Sequence, residues 1–281
     1  MKTVPLWLGA LIAAGGAVAD VEVHKVDLPG LVAGGDKNGF IYYDADALSN
    51  TTANASIPFL SFAHGMATGG DQVRTFYDDL LTKVAEAGFI VIAPKSCPLA
   101  FCGDFYKDQL YAINYAKQEG ASLHPVIAKA DFSRIGVFGH SMGGAATLQS
   151  AAEADENDIK AAFALNPACD MGRPNCRSSH ITVPVFFATS DEDVIVLPTC
   201  VELEYNHDTV EDKILVQLKD AGHMEVTEKN NRWEPWVLAY LQCKITGDES
   251  KCASIYNSTD GICQHVKASH CKLPNGTTPL E

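Results

Sequence analysis

From about residue 57 the chain alternates short apolar runs of strand length with longer stretches of helical period. That pattern predicts an α/β domain with a mostly parallel central sheet covered by helices. The strand-length runs are Pro58 to Ala63, Phe89 to Ala93, Ile135 to Phe138, Ala161 to Leu165, Val185 to Thr189 and Ile214 to Leu218. Between them, Asp71 to Ala87 places Val73, Phe76, Tyr77, Leu80, Leu81 and Val84 at helical spacing, and Ser141 to Ala154 and Trp233 to Leu241 also predict helices. Upstream, Val21 to Leu28 and Phe40 to Tyr43 predict an antiparallel lead-in. About 17 residues separate Leu165 from the next strand, too few for a large helical lid domain, so an open cleft is expected.

Residues 1–19, MKTVPLWLGALIAAGGAVA, carry one cation, an apolar run and the small-x-small ending Ala17-Val18-Ala19. This predicts a secretory signal peptide. The alternative, a transmembrane anchor, is disfavoured because the run is short and broken by Gly9, Gly15 and Gly16. The expected organisation is therefore a leader at 1–19, a catalytic domain at 20–245 and a disulfide-rich tail at 246–281. Export gives meaning to four N-glycosylation acceptors, at Asn50, Asn54, Asn257 and Asn275, and predicts a secreted glycoprotein.

In an oxidising compartment the nine cysteines should mostly pair, leaving at least one free or joined to another chain. Cys97 with Cys102 and Cys169 with Cys176 are the local pairs expected, and Cys243, Cys252, Cys263 and Cys271 suggest a compact disulfide cluster. Cys263-x-His265 with His270-Cys271 could on paper hold zinc, but the irregular spacing and export favour disulfides, so no metal is expected. The formal charge is −14, and −15 without the leader that carries Lys2. With acids in such excess there is no basic stripe to neutralise phosphates, which argues against nucleic acid and anionic membranes as partners. No stable membrane insertion is expected, and a monomer is.

Gly139-His140-Ser141-Met142-Gly143 follows a predicted strand and opens a predicted helix, the context a nucleophile elbow requires. Its glycines, Gly139 and Gly143, permit the cramped turn that would lift the Ser141 hydroxyl above the sheet. A serine hydroxyl needs a base, and His223 in Ala221-Gly222-His223 stands directly after a late strand. The carboxylate that fixes the imidazole should come from Ser190-Asp191-Glu192-Asp193; Asp193, followed by Val194 to Val196 and Pro198, fits best, with Asp191 as the alternative. Backbone donors for an oxyanion are expected at Met142, after the nucleophile, and at Met66 in Phe62-Ala63-His64-Gly65-Met66. Together these parts describe serine-dependent acyl transfer to water.

With the order Ser141, Asp193, His223, the chain resembles the α/β-hydrolase family over residues 40 to 245. Phe62-Ala63-His64-Gly65, Gly88-Phe89-Ile90-Val91-Ile92-Ala93-Pro94, the elbow and Gly222-His223-Met224 are similar to the chlorophyllase, cutinase-like polyesterase and dienelactone-hydrolase branch. The resemblance implies carboxylic ester hydrolysis with no cofactor, by a cutinase- or polyesterase-like enzyme or a general carboxylesterase, with polymeric and lipidic esters among the candidate substrates, and an oxyanion hole at Met66 and Met142. A chlorophyllase-type or lipid (acetylhydrolase-type) esterase is the alternative within this class. A non-catalytic binding module on a hydrolase scaffold is the alternative from another class.

Bacterial polyester hydrolases of this kind usually carry a tryptophan after the strand that follows the nucleophile helix, where this chain has Asn166-Pro167-Ala168-Cys169-Asp170. Trp233 and Trp236 fall in what the pattern makes the last helix and are expected to pack. Aromatic substrate contacts would then come from Phe76, Phe101, Phe105 or Tyr106.

Overall fold

A computed structural model describes residues 20–33, 36–49, 56–97, 104–169, 176–265 and 267–274. The expected leader, the sequons at Asn50, Asn54 and Asn275, Cys102 and Phe101 lie outside the described residues.

Nine strands form one sheet in the order β1-β2-β4-β3-β5-β6-β7-β8-β9. The antiparallel lead-in is β1 (Val21–Asp27) with β2 (Asn38–Asp44), and β2 runs antiparallel to β4 (Ile90–Pro94). The parallel centre comprises β4, β3 (Ile57–Ala63), β5 (Ala130–His140), β6 (Ile159–Leu165), β7 (Val185–Ser190) and β8 (Lys213–Leu218). All six predicted strands of that centre are present, β5 starting five residues before the apolar run begins.

The period-2 alternation of the strands divides the core in two. Leu60, Phe62, Val91 and Ala93 face one layer, with α2 (Gln72–Glu86) and α7 (Glu234–Leu241) packed over it. Phe59, Ile90, Ile92 and Val137 face the other, under α3 (Phe105–Glu119), α4 (Met142–Ala151) and α6 (Pro198–His207). One-turn helices α1 (Asp46–Ser49) and α5 (Ala154–Asn157) complete these connections. Burial on both faces is why the central strands are nearly continuous apolar runs. Trp233, at the start of α7, is fully buried in the first layer, and truncating a core aromatic of this kind costs about 3–5 kcal/mol.

Besides the one-turn helices, four elements were not visible in the apolar pattern. In α3 the buried face includes Asp108 and Gln109, which blur the helical period. Gln109 compensates by donating to the Ser61 and Phe138 carbonyls and accepting from Ser150 Oγ, tying α3 to β3, β5 and α4. The second, α6, carries little amphipathic contrast, with only Val201, Glu204 and Tyr205 buried. Beyond α7, which is therefore not the last helix, lies α8 (Glu249–Tyr256) with Ile255 as its buried anchor. The fourth, β9 (Ala268–Lys272), is polar in sequence yet extends the sheet antiparallel to β8.

Disulfides join Cys169–Cys176, Cys243–Cys252 and Cys263–Cys271. The last two tie α8 to the end of α7 and β9 to the turn before it. Cys97 is disulfide-bonded as well, and Cys200 on α6 is free. With Cys263 and Cys271 oxidised, the imagined zinc site has no thiolates. Among the described residues one group has metal-ligand spacing, Cys169, Cys176 and Glu204, and its two sulfurs form a disulfide. No helix among them is long and apolar enough to cross a membrane.

Candidate active site

Ser141 occupies the single residue between β5 and α4, with φ 57° and ψ −118°. A non-glycine residue with positive φ is strained and persists only where its surroundings fix it. Here the Ser141 amide donates to the Leu165 carbonyl at 2.9 Å, and its own carbonyl accepts from Ala168 N at 2.9 Å. The flanking glycines are required by close backbone approach: a Cβ on Gly143 would lie 2.0 Å from Ala63 O, and one on Gly139 would lie 2.4 Å from Gly143 O.

The loop after β7 brings Asp193 beneath the imidazole of His223. Asp193 Oδ2 lies 2.7 Å from His223 Nδ1 and accepts from Asn166 Nδ2 at 2.7 Å. Oδ1 accepts from the Ile195 and Val196 amides, each at 2.8 Å. Burial alone would raise the Asp193 carboxyl; the His223 hydrogen bond, the Val196 and Ile195 amides and the nearby imidazole charge more than offset it and hold it below the ordinary carboxylate range. An ionised Asp193 can only accept, so Nδ1 of His223 carries the proton and the Nε2 lone pair faces Ser141 Oγ at 2.9 Å. Asp191 is placed differently, accepting from the Ala221 amide at 3.2 Å.

The loop that carries His223 is itself clamped. Arg232 donates to the Lys219 carbonyl at 2.9 Å, to the Asp220 carbonyl at 2.7 Å and to both carboxylate oxygens of Glu225. A guanidinium fork suits this because it offers several donors in one plane.

Of the two residues expected to supply oxyanion donors, Met142 adjoins the serine in the chain and Met66 follows Gly65, which packs beside it. Met142 opens α4, where first-turn amides have no acceptor within the helix. Met66 follows β3 through His64 and Gly65, and a Cβ on Gly65 would lie 3.3 Å from Ser141 Cβ. The Gly65 carbonyl accepts from His64 Nδ1 and Thr68 Oγ1, both at 2.8 Å. Complete burial lowers the His64 pKa to about 4 despite that hydrogen bond, so the ring is neutral at pH 7.

Of the aromatic residues offered as substrate contacts, Phe105 is buried and packs edge-on against His64, with ring centroids 4.9 Å apart. Phe76 and Tyr106 are half-buried. Trp236 packs on His265 at 4.8 Å. Exposed apolar side chains stand close in the chain to the residues of the site. Met66, Val194, Ile195 and Met224 are all exposed, each next to or within two residues of Gly65, Asp193 or His223.

Asn166 was missed as a site residue, although its place at the C-terminal end of a parallel strand, where ligands and site residues collect in such sheets, is a usable signal. In the sequence Tyr77 shows only its helical spacing. His140, inside the elbow, is fully buried and hydrogen-bonded at both ring nitrogens.

Residues 9–269 match the PET hydrolase-like family. Among curated relatives, Cutinase 1 of Thermobifida cellulosilytica is 30% identical over 230 residues, covering 81% of this chain and 80% of the relative. The Cutinase of Thermobifida fusca (strain YX) is also 30% identical over 230 residues, covering 81% and 70%. With the mostly parallel sheet and the serine elbow above it, these likenesses establish that the chain belongs to the PET hydrolase-like family of α/β-hydrolases and is a carboxylic ester hydrolase.

Proposed function

We propose that the protein is an exported serine esterase whose triad is Ser141, Asp193 and His223, with the Met66 and Met142 amides as its oxyanion hole. The observation that carries this reading is the unbroken file from Asp193 Oδ2 through His223 to Ser141 Oγ, with separations of 2.7 and 2.9 Å. His223 Nε2 takes the serine proton as Oγ attacks the ester carbonyl. The tetrahedral oxyanion is met by the two amides, and the imidazolium then protonates the departing alcohol. A water deprotonated by the same nitrogen attacks the acyl-enzyme and releases the acid. Asp193 remains ionised throughout and stabilises the imidazolium.

Apolar acyl or aryl esters, including polymeric ones, suit the site, because Met66, Val194, Ile195 and Met224 offer dispersion contacts and no fixed charge. Export is supported by the leader-like sequence of residues 1–19 and by the disulfides, which persist in oxidising compartments. The exposed Asn257, beginning an Asn-Ser-Thr acceptor at the end of α8, is the glycan site proposed among the described residues.

A fluorophosphonate probe on the secreted protein tests the reading directly. Peptide mapping should place the label on Ser141, and Ser141→Ala should abolish labelling and lower turnover by about 10⁴-fold or more with the fold intact. Labelling elsewhere, or an active Ser141→Ala protein, would overturn it. Soluble nitrophenyl esters of graded acyl length, assayed beside a polyester film, define the substrate class.

A further inference from the structure

A polar path runs beneath Ser141 through two residues that the reaction as written does not use. Tyr77, fully buried in α2, accepts from the Gly65 amide at 3.0 Å, and its hydroxyl lies 2.8 Å from Nδ1 of His140. On its other side, His140 Nε2 lies 2.9 Å from the carbonyl oxygen of His223. A carbonyl can only accept, so Nε2 carries the His140 proton. Burial first, and the His223 ring beside it, lower the His140 pKa to about 3, which leaves Nδ1 with a lone pair. The donors therefore run in one direction: Gly65 N–H to Tyr77, Tyr77 O–H to His140, and His140 N–H to the backbone of His223.

We propose that Tyr77 and His140 are positioning residues, a buried bridge that holds the oxyanion loop and the loop of the base in one fixed relation to Ser141. The proposal rests on the triad and oxyanion assignments above. Gly65 is held at both ends, its N–H by Tyr77 and its C=O by His64 and Thr68. The Gly65–Met66 peptide is planar and trans, so fixing that carbonyl also fixes the direction of the Met66 N–H. At the far end, the carbonyl held by His140 belongs to the residue whose ring receives the serine proton. Each bridge residue acts through Gly65 or His223, and the His140 ring also packs against that of His223, with centroids 4.7 Å apart. Catalysis needs such groups held within a fraction of an ångström, and buried hydrogen bonds between two loops supply that constraint.

Tyr77→Phe removes one oxygen, leaves the ring against Phe62 and deprives both Gly65 N–H and His140 Nδ1 of their partner. The expected result with a soluble nitrophenyl butyrate is a fall in kcat per fluorophosphonate-titrated site of about 10- to 100-fold with KM within about twofold, the signature of contacts that matter in the transition state. His140→Asn cuts the other end, since an amide can meet Tyr77 but falls short of the His223 carbonyl, and should give the same split. Phe62→Leu is the control, because it loosens the packing around Tyr77 while leaving the bridge bonded. An unchanged kcat per titrated site in Tyr77→Phe, or a loss no larger than that of Phe62→Leu, would overturn the bridge. Should Tyr77→Phe not accumulate as folded protein, His140→Asn decides by the same criterion. Failure of the underlying reading is distinguishable, because the wild-type protein would then not be labelled at Ser141.

Discussion

Asn166 and Asp193, 27 residues apart in the chain, meet in a 2.7 Å hydrogen bond to the same carboxylate oxygen that faces His223. Asn166 stands at the end of β6 with φ 43°, a left-handed conformation that asparagine tolerates better than most residues. Its amide fixes the orientation of the carboxylate. Asn166→Ala should lower kcat about tenfold, equivalent to about 1.4 kcal/mol and at the low end for one hydrogen bond to a charged group. Steady-state kinetics on a soluble ester checks this, and a variant with wild-type kcat would show that the Ile195 and Val196 amides suffice.

The two acids of the β7 loop should separate cleanly under mutation. Asp193→Asn keeps the shape but favours the wrong imidazole tautomer, and a loss in kcat of about 10⁴-fold is expected. Asp191→Asn disturbs a single hydrogen bond to the Ala221 amide, and its kcat should stay within about threefold. The ranking can be read from both variants in one pH-7.5 assay. Equal losses would mean that the loop responds as a whole.

Acid should destabilise this protein through two buried histidines, an effect partly opposed by Asp208, whose carboxyl burial raises to about 6. His64 and His140 are held neutral, with folded pKa values of about 4 and about 3 against an ordinary 6.5. Because the unfolded chain binds these protons first, the stabilisation is complete above about pH 6.5 and declines as pH falls toward the folded values. Each ring contributes a slope of about 1.4 kcal/mol per pH unit in that window. Urea denaturation between pH 7.5 and 4.5 measures it, and His64→Asn should remove close to half of the histidine contribution. A His64→Asn profile that falls as steeply as that of the wild type would contradict the buried, neutral state of that ring.

Much of the fold was legible because burial leaves a local record. Every central strand lies between two helical layers, so Phe59 to Ala63 and Ile90 to Ala93 are apolar on both faces, and such runs identify themselves. The elbow was legible for a related reason, since Gly139 and Gly143 stand where a side chain would strike backbone. Chain order then paired Ser141 with His223. Elements whose burial is polar or whose stability is borrowed left no such record. Gln109 hides the face of α3, and β9 is a strand only because β8 offers it an edge and Cys263 holds its end.

The sequence by itself determined the layer architecture, the strained serine turn and the pool of acids and histidines from which a site could be assembled. Tertiary structure alone decided that Asp193 rather than Asp191 faces the imidazole, that Asn166 supports it, and that Tyr77 and His140 join two loops under the serine. The difference is physical. Hydrophobic periodicity is a property of neighbours along one chain segment, whereas a hydrogen bond at 2.7 Å depends on how several segments are packed, and residues one or two positions apart in a loop can point to opposite sides.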